Sequence, residues 1–193
     1  MSSSMNTTLN RLNSVTAYAT TVLLAVLSIV AYSAYPLNPK PDPNAFLKVD
    51  QLEVVRARAT WHSDRRLQDY LKVQFSAELD LRPLFTWNTK QIFLSLSAHY
   101  ASRASEDNRI VIWDRIIRRK EDSRIFIEDA VNRYAFREVS TSFANVNSTY
   151  FTLHWNVMPY VGVLAYGDEL STAQLPVPKR IEGDSKNEER VWY

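Results

Sequence analysis

Hydrophobic and polar positions follow two different rules along this chain. Between residues 15 and 35 the sequence runs VTAYATTVLLAVLSIVAYSAY, 21 residues without a charge. Wound as an α-helix, such a stretch covers roughly 32 Å, close to the ~30 Å hydrocarbon thickness of a bilayer. Tyr18, Tyr32 and Tyr35 lie towards its ends, where amphipathic rings favour the headgroup level, and Pro36, Pro39, Pro41 and Pro43 then stop the helix and form a stiff spacer. Beyond the spacer the pattern changes to alternation. Leu71, Val73, Phe75, Ala77 and Leu79 are separated by polar residues, the period of a half-buried strand.

Leu47, Val49 and Leu52 carry a similar alternation through residues 47–58, with an irregularity near Gln51 that predicts a β-bulge. Within residues 91–100, Ile92, Leu94, Leu96, Ala98 and Tyr100 share one face, while Ser95, Ser97 and His99 share the other. The β-branched and aromatic runs 110–117, 124–127 and 150–157 predict further strands, and residues 128–139 suggest a short helix. Six or more strands without long helices between them predict an antiparallel all-β sandwich. The expected fold is therefore a single N-terminal transmembrane helix followed by a β-sandwich domain. The expected division is a short N-terminal segment at 1–14, a signal-anchor helix at 15–35, a β-domain at 36–178 and a charged tail at 179–193.

A cleavable signal peptide is the rival reading of the apolar run, because Ala31 and Ser33 suit the small-residue rule for cleavage before Ala34. The run exceeds the ~7–15 residues of a signal-peptide core, which argues for an anchor. It also lacks the polar face of a buried core helix. Under the rival reading the chain would be a secreted β-sandwich binding protein. Arg11 on one side and Lys40 and Lys48, partly offset by Asp42, on the other leave the positive-inside rule nearly silent. Asn147-Ser148-Thr149 is an N-glycosylation sequon, usable only if the β-domain faces a lumen; Asn6-Thr7-Thr8 would then lie on the cytosolic side.

Charge and composition narrow the chemistry. The balance of 23 basic against 21 acidic residues is too even for a nucleic-acid binder, whose affinity is mostly electrostatic. No cysteine occurs, which excludes disulfides, thiolate catalysis and Cys-based metal sites. Only three glycines are present and no Gly-rich phosphate loop. His62-Ser63-Asp64 places the three residue types of a hydrolytic triad side by side, but neighbours in an extended chain point opposite ways and no nucleophile elbow surrounds the serine. His99 and His154 on neighbouring strands are a candidate metal pair that reads better as strand surface. The cluster from Arg115 to Lys120 reads as a strand end entering a charged turn with Glu121 and Asp122. No catalytic residue, metal ligand or cofactor is assigned.

Trp87-Asn88, Trp113-Asp114 and Trp155-Asn156 repeat a tryptophan followed by a polar residue. Such rings anchor either a core or a contact surface, and Trp87, Asn88, Trp155 and Asn156 are the candidate interface residues.

These stretches also carry a resemblance. Residues 80–100 (DLRPLFTWNTKQIFLSLSAHY), 111–116 (VIWDRI) and 153–159 (LHWNVMP) with Gly162-Val163-Leu164 are similar to the signal peptidase complex subunit 3 family, as is Asn10-Arg11-Leu12-Asn13-Ser14 before the apolar run. The likeness extends from Met5 to about Pro178, and Asn147 occupies the place of the family's glycosylation sequon. It implies a non-catalytic accessory subunit in the endoplasmic-reticulum membrane, single-pass and type II, with a lumenal β-sandwich packed against the catalytic subunit. The catalytic serine, histidine and aspartate would belong to that partner. Other small membrane subunits, the lipid bilayer and, indirectly, preprotein substrates complete the implied partners, with no cofactor.

Overall fold

The computed structural model describes residues 7–34, 44–58, 66–103 and 105–179. His62-Ser63-Asp64 and nearly all of the charged tail lie outside them. Helix α1, Thr8–Ala34, is 27 residues long and exposed along most of its length. At ~1.5 Å per residue it measures about 40 Å, enough to cross a bilayer and emerge. It starts at Thr8, ahead of the anchor expected at 15–35.

The Ser and Thr hydroxyls from Ser14 to Ser33 all bond back to carbonyls of the helix itself. Thr20 Oγ1 donates to the Thr16 carbonyl (2.8 Å), Thr21 Oγ1 to Ala17 (2.9 Å) and Ser28 Oγ to Leu24 (2.8 Å). The helix therefore presents an apolar surface despite its Ser and Thr content, as a lipid-facing span requires.

The remainder is an antiparallel two-sheet sandwich, now assigned as β1 (Phe46–Arg58), β2 (Leu67–Asp80), β3 (Thr89–Tyr100), β4 (Asn108–Ile117), β5 (Arg124–Val131), β6 (Ser148–Pro159), β7 (Ala165–Ser171) and β8 (Leu175–Pro176). One sheet has the order β1-β2-β5; the other runs β4-β3-β6-β7, with β8 also beside β6. Every pairing is antiparallel. Asp50 is the extra residue of a bulge, since Val49 pairs Phe75 and Gln51 pairs Gln74. Its carboxylate accepts from Ser76 Oγ (2.6 Å) and pairs with Lys48 Nζ (2.8 Å).

Alternation decides what the sheets bury between them. Val73, Phe75 and Ala77 of β2 meet Leu94 and Leu96 of β3 and Phe151, Leu153 and Trp155 of β6 in one core. Trp113 closes on Phe75 edge to face, with ring centroids 5.7 Å apart.

The helix suggested for 128–139 does not form. β5 continues to Val131 with Asp129 in the left-handed region (φ 51°), and the chain then follows β2 without becoming a regular strand. Asn132 Oδ1 accepts from the Val73 amide (2.9 Å), and the Leu71 and Asp69 amides donate to the Phe136 (2.8 Å) and Thr141 (3.0 Å) carbonyls. Long-range hydrogen bonds to β2 thus replace the local bonds that a helix would have made.

The registers sort the connections into two ends. The start of β1, the Asp80 end of β2, Thr89, Ile117, Arg124, Pro159 and Ala165 lie at one end. Tyr100, Asn108 and Ser148 lie at the other. The C-terminal turn of α1 reaches the first end: the position a Cβ would take on Gly162 is 3.4 Å from Ala31 Cα. We call it the helix-proximal end.

Candidate interaction surfaces

Two connections build the helix-proximal end. After β2, Asp80 receives the Arg82 amide at 2.9 Å and Arg82 Nε at 2.8–2.9 Å, closing a tight turn. The guanidinium holds the Asp80 carboxyl below its ordinary pKa. Pro83 then enters a single 3-10 turn, Arg82–Leu84, which buries Leu84. Thr89 Oγ1 donates to the Leu84 carbonyl (2.9 Å) while accepting the Thr86 amide (3.0 Å). These bonds leave Trp87 at the tip of the loop, 64% exposed.

Asn88 turns the other way and is 2% exposed. Its Nδ2 donates to the Val161 carbonyl (2.7 Å), its Oδ1 accepts the Val161 amide (3.2 Å), and its carbonyl accepts the Tyr160 amide (2.8 Å). One residue thus fastens the β2–β3 connection to the β6–β7 turn. Asn88 is a clamp, and its amide is already engaged within the chain.

The second Trp-Asn pair has the opposite arrangement. Trp155 points into the core (7% exposed), its indole over Gly167 of the adjacent strand. A Cβ at Gly167 would fall 2.2 Å from Trp155 Cζ2. Asn156 lies on the outer face of the larger sheet, and its Oδ1 is buried with no hydrogen-bond partner among the described residues, as is Ser97 Oγ on the same face. Past Ser97 on this face His99 stacks on Tyr150 (centroids 4.6 Å apart, planes at 6°) and tilts toward His154 at 6.1 Å. Among the described residues no three His, Asp or Glu side chains converge as a metal site would need. The structure therefore brings Trp87 and Asn88 to one end and leaves Trp155 and Asn156 within a strand, on opposite faces.

Residues 5–180 match the protein family described as Signal peptidase subunit. The chain belongs to this family. Its relatives include the signal peptidase complex subunit 3 of Saccharomyces cerevisiae, 33% identical over 162 residues that cover 82% of this chain and 88% of the relative. The subunit 3 of Yarrowia lipolytica is 33% identical across 84% of this chain and 92% of its own length. That of Homo sapiens is 26% identical across 92% and 97%.

Along this chain the family match spans α1, both clamp connections and the sequon. Asn147 is exposed and immediately precedes β6, at the end away from α1. The 12 residues of β6, rising ~3.3 Å each, set it roughly 35–40 Å from the helix-proximal turn. Thr149, which completes the sequon, is buried and donates its hydroxyl to the His99 carbonyl (2.9 Å). The sequence pattern identified Asn147 as an acceptor but not this engagement, which depends on the β3–β6 register. The clamp itself was also hidden, because its partner is a backbone 73 residues away.

Proposed function

We propose that the chain is a non-catalytic scaffolding subunit of the endoplasmic-reticulum signal peptidase complex, anchored by α1 with its β-sandwich in the lumen. The observation that carries the reading is the family match running through anchor and sandwich together, residues 5–180. The relatives are named as subunits of the signal peptidase complex. Matching through the apolar segment also favours a retained anchor over a removed leader. The sandwich would hold the catalytic subunit near the membrane face, and the other small membrane subunits and the bilayer would complete its contacts. Preproteins would be met only indirectly. Trp87 and Asn156 are the candidates of the four with a surface to offer; Asn88 and Trp155 would act by fixing those surfaces.

One row of residues favours a different reading. Ser95 pairs with His154 across β3 and β6, and His154 pairs with Asp168 across β6 and β7. The order is that of a hydrolytic triad. Ser95, however, is buried in mid-strand, where a substrate carbonyl has no approach, and no strand-to-helix turn presents it. A single experiment addresses both readings. Purified in mild detergent, the tagged chain is expected to recover a serine-type protease subunit and signal-peptide cleavage, with His154→Ala leaving cleavage unchanged. Recovery of a partnerless, inactive chain would overturn the scaffold reading, and loss of cleavage with His154→Ala despite normal assembly would favour the hydrolase.

The lumenal topology gives its own expected result. Asn147→Gln removes a glycosidase-sensitive mobility shift, whereas Asn6→Gln changes nothing. Because Thr149 is held in the β3–β6 pairing, glycan transfer to Asn147 has to precede the pairing of β6. A shift absent from the wild type would reject the lumenal placement of Asn147 as a used site.

A further inference from the structure

We propose that the β6–β7 turn, with Trp87 beside it, inserts into the lipid surface next to the point where α1 leaves the bilayer, giving the β-domain a second membrane contact. The proposal rests on α1 spanning the membrane. Ala31, whose Cα lies 3.4 Å from where a Cβ on Gly162 would stand, is three residues before the last residue of α1, Ala34. That is about 4.5 Å below the level where the helix stops. A turn touching the helix at that height is at headgroup and upper acyl depth.

The chemistry of the turn agrees with its height. No charge occurs from Met158 to Gly167. Tyr160 is 68% exposed, Val163 82% and Tyr166 70%, with Leu164 and Trp87 also exposed. A contiguous exposed apolar surface marks a contact, and a cluster of Tyr and Trp around aliphatic side chains is the composition of a membrane-interface belt. Basic residues border it: Lys90 follows the Trp87 loop, and Arg118, Arg119 and Lys120 leave β4 at the same end, all exposed. Placed beside an apolar wedge, such side chains reach lipid phosphates.

Non-helical backbone is tolerated at this depth only where its polar groups are already satisfied. The Tyr160 amide and both backbone groups of Val161 are bonded to Asn88. Gly162, at φ 120°, supplies a backbone conformation that residues with a side chain rarely adopt. The occupant we assign is therefore lipid; a neighbouring subunit or a second copy of the chain would be competing occupants.

The absence of cysteine makes the test direct. Val163→Cys, Asn145→Cys and Leu24→Cys variants of the full chain, each labelled with an environment-sensitive fluorophore, are reconstituted into phosphatidylcholine vesicles. Quenching is measured with nitroxide lipids carrying the label at shallow or deep positions, and with aqueous iodide. The expected result is several-fold stronger shallow-lipid quenching at position 163 than at 145, protection of 163 from iodide, and deep-lipid quenching at 24. Iodide access at 163 equal to that at 145, or protection from both iodide and lipid, overturns the membrane contact while position 24 still reports a span. Failure of lipid quenching at 24 removes the spanning helix and the proposal with it.

Discussion

Truncating Trp155 to alanine is expected to destabilise the chain by about 3–5 kcal/mol, the range for removing a large buried aromatic, and to make Gly167→Ala nearly neutral. In the intact protein Gly167→Ala should cost about 1–3 kcal/mol through overpacking. The reason is geometric: the added Cβ would sit 2.2, 2.6 and 2.8 Å from three atoms of the Trp155 ring, well inside van der Waals contact. The ring must tilt or β7 must move away from β6. Once the ring is gone, the methyl occupies part of the cavity, so the two changes are strongly non-additive. Trp155→Phe should be milder than Trp155→Ala, because it keeps most of the apolar contact and removes an indole N–H that is buried without a partner among the described residues. Urea unfolding of the four proteins of the cycle, followed by far-UV circular dichroism of the full chain in detergent, reads the coupling directly. Additive losses would show that Gly167 is not held by the ring.

That pair also shows why β7 was invisible in the pattern of residues. Ala165–Ser171 contains Gly167, Asp168 and Glu169, all poor strand formers, and its place is decided by a side chain ten or more residues earlier. β2 and β3 were legible because their core-facing apolar positions alternate with polar ones, and β6 because it is a run of aromatic and β-branched residues. The bulge near Gln51 was legible for the same reason: an extra residue shifts the alternation, and Asp50 is where it enters. The segment after Val131 was misread as helix because its amides and carbonyls bond to β2, information that no local window contains. α1 itself begins at Thr8, outside the anchor expected at 15–35. An apolar run reports where lipid is tolerated, whereas the helix continues outward through Asn10, Arg11 and Asn13.

The two Trp-Asn pairs divide along the same line. In β6, Trp155 inward and Asn156 outward follow from the two-residue period of a strand. At Trp87-Asn88 the period does not apply, and the outcome is set by the Asp80–Thr89 turn and by a backbone far away in the chain. A shared dipeptide therefore carries two roles: one anchors the core, and the other fastens the end of the domain nearest the helix.

Asn88→Ala is accordingly expected to cost about 2–4 kcal/mol although it removes only a small polar group. Each buried backbone group left without a partner costs about 1–3 kcal/mol, and two groups of Val161 lose theirs. Water admitted to the gap would recover part of this. Asn88→Asp separates the two bonds. Its carboxyl can still accept the Val161 amide, but when ionised it faces the Val161 carbonyl with no proton to donate. Burial and that carbonyl raise the introduced group's pKa in the folded state above its unfolded value. The variant's deficit relative to wild type is then full at neutral pH and shrinks as pH falls through the raised folded pKa, where the protonated acid donates again. Trp87→Ala serves as the contrast: its exposed ring should leave the urea midpoint within about 0.5 kcal/mol of wild type. Midpoints measured between pH 4 and 8, a range chosen to bracket the carboxyl titration, decide the matter. A pH-independent Asn88→Asp deficit, or equal losses from Trp87→Ala and Asn88→Ala, would mean that the amide is not the clamp holding the β6–β7 turn against the helix-proximal loop.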